Sequence, residues 1–177
     1  MAKARTVWIT RAAPGAERTA ERVAALGWRP LVAPLLVIRP VKAALNLKPK
    51  EVLAFTSSQA LHHLDPTTSR GAVVFAVGDA TAEAARAAGF TDVRSAAGDV
   101  EALADLILRA RPSAVVHPAA KLTAGDLVRR LTGAGLPARR VIVYRAEACK
   151  TPPGCVQSRR GPAARCRRVT GRVQRRP

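Results

Sequence analysis

Three helical segments of this chain close in the same way, on Ala24-Ala25-Leu26-Gly27-Trp28, Arg86-Ala87-Ala88-Gly89-Phe90 and Thr132-Gly133-Ala134-Gly135-Leu136. In each, a glycine stands where the residue after the last helical turn must take a left-handed conformation, and the apolar residue that follows can pack back on the helix. Each then runs into a strand. A chain that repeats this ending is restricted to helix-and-strand units laid side by side, and the spacing is too irregular for a solenoid.

The remaining pattern agrees. Strands are expected at Thr6–Thr10, Leu31–Ile38, Val52–Thr56, Val73–Val77, Asp92–Arg94, Ala114–His117 and Val141–Tyr144. Helices are expected at Ala16–Leu26, Ser58–Leu64, Ala80–Ala88, Val100–Arg109 and Ala124–Thr132. Short β-branched runs alternate with Ala-rich helical segments, which predicts an α/β fold with mostly parallel sheets covered by helices.

Charge divides the chain. Residues 148–177 hold nine Lys and Arg and no Asp or Glu, so they carry half of the net +18. They have no aromatic residue to stack bases, so specific nucleic-acid binding is not expected there, only phosphate attraction. Cys149, Cys155 and Cys166 are spaced for neither a zinc knuckle nor a redox pair, and adjacent His62 and His63 make a poor metal pair, so no metal is expected. Residues 148–177 therefore read as a basic Cys/Arg/Pro tail, disordered in composition. Arginine codons of the CGN kind, read one base later, encode Val, Ala, Asp, Glu or Gly, so the tail also reads as out-of-frame translation of an ordinary α/β sequence. A genuine basic tail on a small anion-binding or nucleic-acid-associated protein is the alternative. No run approaches the ~18 apolar residues of a membrane helix and the start lacks a signal peptide's continuous apolar stretch, so a cytoplasmic protein with no membrane contact is expected.

Polar residues collect after the strands: Thr10 and Arg11 after the first, Thr56, Ser57 and Ser58 after the third, Gly78, Asp79 and Thr81 after the fourth, His117 and Pro118 after the sixth, Tyr144 and Arg145 at the last. Open α/β sheets bind ligands at that rim, where free N–H groups and helix dipoles accept carboxylate or phosphate. Each residue also has a structural reading: Ser57, Ser58, Asp79 and Thr81 as helix caps, Gly78 as a turn, Arg11 as a surface charge, His117 as a satisfied residue at the core edge. No Walker loop, nucleophile elbow or zincin motif is present. The string Gly133–Ala138 matches G-x-G-x-x-A but follows a helix and precedes a strand, the reverse of the dinucleotide-binding order.

The strings V-W-I-T-R-A-A-P-G-A-E, L-G-W-x-x-L-V-A-P-L, A-F-T-S-S-Q-A, F-A-V-G-D-A-T-A-E-A-A-R-A-A-G-F, H-P-A-A-K and V-I-V-Y-R, in that order over Val7–Arg145, resemble uroporphyrinogen-III synthase. The resemblance implies a cofactor-free lyase of tetrapyrrole biosynthesis that cyclises hydroxymethylbilane with inversion of ring D, receiving it from hydroxymethylbilane synthase and acting as a monomer. It implies a two-domain fold with a polycarboxylate-binding cleft and a discontinuous first domain. Residues 1–38 then form the N-terminal part of domain 1, incomplete here, and 40–146 form domain 2. Matching motifs put Thr10 and Arg11 on the first domain's substrate-facing turn and Thr56, Ser57, Thr81 and Tyr144 on the second domain's side, beside Gly78 and His117 of the rim. Tyr144 becomes the candidate proton donor. The chain departs from the family pattern after Val143-Tyr144-Arg145, where the elements completing domain 1 are expected, and it lacks a glycine after His117-Pro118-Ala119. Little or no synthase activity is therefore expected of the chain as written.

Overall fold

The computed structural model describes residues 5–13, 15–65, 68, 70–122 and 125–149. The expected tail lies outside them from residue 150 onward, as does the expected helix start at Ala124. Contacts divide the described chain into two units, 5–35 with Cys149, and Leu36–Ala148.

The first unit is one strand-helix-strand turn. Strand β1 (Thr6–Ile9) and strand β2 (Arg29–Val32) pair in parallel from Thr6↔Arg29 to Ile9↔Val32, and helix α1 (Gly15–Ala25) connects them. Trp8 Nε1 donates to Ala33 O at 2.8 Å. The buried apolar residues of this unit, among those described, are Ile9, Ala16 and Ala33, while Trp8, Leu31 and Val32 are 40–46% exposed. Two strands and one helix bury too little to make a core of their own.

The second unit is a six-stranded sheet. Its strands are β3 (Leu36–Pro40), β4 (Glu51–Phe55), β5 (Val74–Ala76), β6 (Val93–Ser95), β7 (Ala114–Ala120) and β8 (Ala138–Ala148), in the order β3-β8-β7-β4-β5-β6. Only β3 runs antiparallel, against β8. Both faces are covered, so β4 is apolar from Val52 to Phe55 rather than alternating. Its odd residues, Leu53 and Phe55, enter a core with Leu61, Ala85 and Phe90; its even ones, Val52 and Ala54, enter a second core with Leu103, Ile107, Leu127 and Leu131. The first core is roofed by helix α2 (Asp79–Ala87) and a short 3-10 helix (Ser58–His63), the second by helices α3 (Val100–Ala110) and α4 (Leu127–Gly133). Asp99 and Asp126 cap α3 and α4, accepting from Ala102 N at 2.9 Å and Arg129 N at 3.0 Å. No helix among the described residues is long and apolar enough to cross a membrane.

The three glycine endings form as the sequence predicts. Gly27, Gly89 and Gly135 have φ of 74°, 93° and 80°. Trp28, Phe90 and Leu136 donate their N–H groups back to Val23, Ala85 and Leu131, closing the six-residue bond of a Schellman motif. A Cβ on Gly89 would meet only Arg70 Cγ, at 3.9 Å, so the barrier to substitution there is conformational and not steric. Gly89→Ala is expected to lower unfolding free energy by about 1–2 kcal/mol in urea denaturation, the cost of a left-handed alanine. An unchanged midpoint would show that the turn can relax.

Two expectations need correction. The apolar run Leu31–Ile38 is not one strand: β2 pairs with β1 and β3 pairs with β8, separated at Pro34. Ala33 N donates to Ile9 O and Leu35 N to Thr10 O, so the chain follows the end of β1 past Pro34 before Leu36 takes up its pairing with β8. Ser58–Leu64 forms a 3-10 helix rather than an α-helix. β8 also extends further than expected, through Ala148 opposite Leu36, and Cys149 N donates to Leu35 O at 2.8 Å.

Candidate functional site

The strand order of the second unit reverses at β4. The chain moves from β4 outward through β5 and β6, then crosses by α3 to β7 on the other side of β4. Ligand crevices of open α/β sheets form at such a switch point, beyond the carboxyl ends of the two flanking strands. A depression of about 200 Å3 lies there, lined by Thr56, Ser57 and Ala60 after β4, by Pro118, Ala119, Ala120 and Leu122 at the end of β7, by Val100 at the start of α3, and by Tyr144 of β8.

Local irregularities shape it. The β4–β7 ladder ends at Leu53↔Val116, and the next carbonyl of β4, Ala54 O, accepts instead from Nδ1 of His117 at 2.8 Å. Because a carbonyl only accepts, Nδ1 carries the proton. The imidazole thus takes the place of a strand-to-strand bond where the two strands part. On the other side of β7, the register with β8 slips by one residue between Ala119 and Ala120, so that Ala120 stands opposite Tyr144. Bulges of this kind re-aim a side chain. The shifted backbone is held by Lys121 N donating to Tyr144 O at 3.0 Å. Tyr144 is 8% exposed, and its ring also meets His63, with centroids 5.5 Å apart and planes inclined by 39°.

Three of the expected site residues meet in this depression: Thr56, Ser57 and Tyr144. Ser57 also serves as the cap of the 3-10 helix, its Oγ accepting from Gln59 N at 3.2 Å. The hydroxyl proton remains available to donate. Thr81, Gly78 and His117 belong to the same unit but do not line it. Thr81 is buried in the first turn of α2 with its N–H on Gly78 O. Gly78 has an extended φ of −161° and open space where a Cβ would stand, so nothing there requires glycine. Thr10 and Arg11 lie in the first unit, Arg11 over the first turn of α1, where Nη1 donates to Thr19 Oγ1 at 3.3 Å and the guanidinium occupies the space a Cβ on Gly15 would need. His63 is a neighbour of the site that the residue pattern did not single out. The signal was present as Ser57-x-x-Ala60-x-x-His63, a period of three that lines up on one edge only in a 3-10 helix.

His117 is 4% exposed. Burial, the largest influence, pushes its pKa below the ordinary histidine range; the Ala54 hydrogen bond acts against this and the nearby Arg140 charge adds to it. In the unfolded chain the imidazole takes up a proton near pH ~6.5, which the folded chain resists, so the unfolded state binds more protons in that window and stability falls as pH drops below it. The urea midpoint is expected to decline between about pH 7.5 and 5 and to decline less in His117→Gln, which cannot titrate. Equal slopes would mean that the imidazole is not held neutral.

A larger cavity of about 420 Å3 opens at the opposite, amino end of the strands, lined by Leu47–Val52 and Gly71–Val73. Its one carboxylate, Glu51, is already engaged by Lys48 N at 2.9 Å and Arg139 Nη2 at 3.2 Å. The smaller depression is the better candidate, because it sits at the switch point and gathers the hydroxyls of Thr56, Ser57 and Tyr144. Among the described residues no cluster of His, Cys, Asp and Glu could hold a metal ion.

Residues 17–159 match the profile of the family described as Uroporphyrinogen-III synthase HemD. The chain belongs to the uroporphyrinogen-III synthase family. Its fold is that of the solved synthases. The uroporphyrinogen-III synthetase of Helicobacter pylori 26695 superposes with a TM-score of 0.56 at 19% identity, over 84% of this chain and 64% of that one. A mutant uroporphyrinogen III synthase from the extremely thermophilic bacterium Thermus thermophilus gives 0.56 at 16% identity, over 83% and 64%. This chain therefore spans about 64% of the length of the solved synthases it matches. No curated protein sequence matches it.

Proposed function

We propose that the second unit provides one wall of a uroporphyrinogen-III synthase site, which closes linear hydroxymethylbilane, the product of hydroxymethylbilane synthase, with inversion of ring D. The observation that carries the reading is a phenol, Tyr144, set beside the Thr56 and Ser57 hydroxyls in a depression whose other described lining side chains are apolar, with no carboxylate among them. That set of groups suits this chemistry. The pyrrole nitrogen pushes electrons toward the hydroxymethyl carbon, the C–O bond breaks, and the departing hydroxyl takes a proton from the phenol and leaves as water. The cationic pyrrole is attacked by the last ring, a spiro intermediate rearranges, and the proton lost on closure returns to the phenolate. Atoms balance as substrate less one water.

One donor is enough because the nitrogen supplies most of the push. Thr56 and Ser57 hydroxyls hydrogen-bond substrate carboxylates, and the apolar residues Val100, Pro118 and Leu122 flank the pyrrole edges and exclude water. Thr10 and Arg11 are carried into this reading by the family resemblance of their motif, as groups for substrate carboxylates. His117 acts by holding the strands, and Thr81 and Gly78 by shaping α2. A monomer acting in the cytoplasm is part of this reading.

Tyr144 is the only tyrosine in the chain. With 13C-labelled tyrosine, its ring signals are expected to move saturably when fresh hydroxymethylbilane is added, and to move less in Ser57→Ala. Signals that stay in place at excess bilane would remove the depression from the site.

A further inference from the structure

We infer that His63 is a positioning residue for Tyr144, its imidazole packing against the phenol and fixing the ring's orientation at the depression wall. This rests on the proposed reaction only for its consequence in catalysis; the contact itself is independent of it. The rings lie 5.5 Å apart between centroids at 39°, within the range where aromatic faces attract. His63 touches the phenol yet does not line the depression, so it supports the ring from behind the wall.

The 3-10 helix explains why this histidine and not its neighbour does so. At three residues per turn, Ser57, Ala60 and His63 fall in line along one edge. The first two line the depression and the third meets Tyr144, whereas His62 is rotated off that edge and exposed. The helix is itself anchored, by Ser57 at its start and by Ala60 and Leu61 buried in the core. A tyrosine ring has a broad terminal torsion, so its neighbours must set its plane. Burial, and then the charge of His62, pushes the His63 pKa below the ordinary range, which keeps a neutral ring against the phenol at neutral pH.

The full 177-residue chain labelled with 13C-tyrosine tests this without turnover. His63→Ala and His63→Leu are expected to move the Tyr144 ring signals toward random-coil values by loss of the neighbouring ring current. His63→Phe is expected to retain displaced signals, and His62→Ala to leave them as they are. The leucine variant keeps the bulk of the side chain, so the comparison survives if the alanine variant unfolds. In a chain that turns over bilane, His63→Ala is expected to lower kcat about ten-fold with KM little changed, and His63→Phe to restore it, the pattern of lost alignment rather than lost binding. Tyr144 signals unchanged in both His63→Ala and His63→Leu, or moved as far by His62→Ala, would overturn the inference. A signal that depends on His63 but ignores hydroxymethylbilane would contradict the proposed reaction and leave the contact standing.

Discussion

Tyr144→Phe is expected to lower the rate of uroporphyrinogen III formation by about 100-fold or more, with KM little changed, in any version of this protein that turns over hydroxymethylbilane. Phenylalanine keeps the ring that fills the space between His63 and the depression, so packing survives and only the proton donor is lost. Among the described residues no carboxylate lines the depression to take over the transfer. Loss of a general acid from a step already assisted by the pyrrole nitrogen belongs at the low end of the usual range of roughly 10²–10⁴-fold. Steady-state rates on fresh bilane decide it, and an unchanged rate in the phenylalanine variant would exclude Tyr144 from the chemistry.

The second large effect concerns the first unit. Among its described residues the buried apolar side chains are Ile9, Ala16 and Ala33, while Trp8, Leu31 and Val32 are 40–46% exposed. Residues 150–177 contain no Leu, Ile, Met or aromatic residue, so they have little apolar surface with which to cover such a face. A two-stranded piece without a covered sheet face is marginal. Spontaneous closure of hydroxymethylbilane gives the uninverted type I ring, and suppressing it requires substrate held from both sides. The 177-residue chain is accordingly expected to release mainly type I product, and a chain read in another frame after Glu147 to release type III.

Much of this architecture is legible in the sequence because its signals are local. Gly27, Gly89 and Gly135 announce left-handed helix ends by residue type alone, and the ordered motifs from Val7 to Arg145 carry the family. The misread features depend on partners distant in sequence. Leu31–Ile38 is a nearly continuous apolar run whether it pairs with one sheet or two, and only Pro34 in its middle marks where the partner changes. Six residues are too few for periodicity to separate a 3-10 turn from an α-turn, and an α-helix would not bring His63 into line with Ser57. The role of His117 was undecidable from sequence, since its bond to Ala54 spans 63 residues and exists only where β4 and β7 part. Of the candidate site, the sequence-derived choice of Thr56, Ser57 and Tyr144 converges in space, and the slip at Ala119/Ala120 that brings Tyr144 there has no sequence signature.

The most direct measurement of the central claim is a product analysis. Fresh hydroxymethylbilane is given to the 177-residue chain, to the chain read in another frame after Glu147, and to that second chain carrying Tyr144→Phe; the products are oxidised and the type I and type III porphyrins separated. Predominantly type III from the second chain, with type I from the other two, is the predicted result. Type I alone from all three would contradict the assignment of the Thr56, Ser57 and Tyr144 depression to this reaction, and type III from the 177-residue chain itself would contradict the account of its first unit.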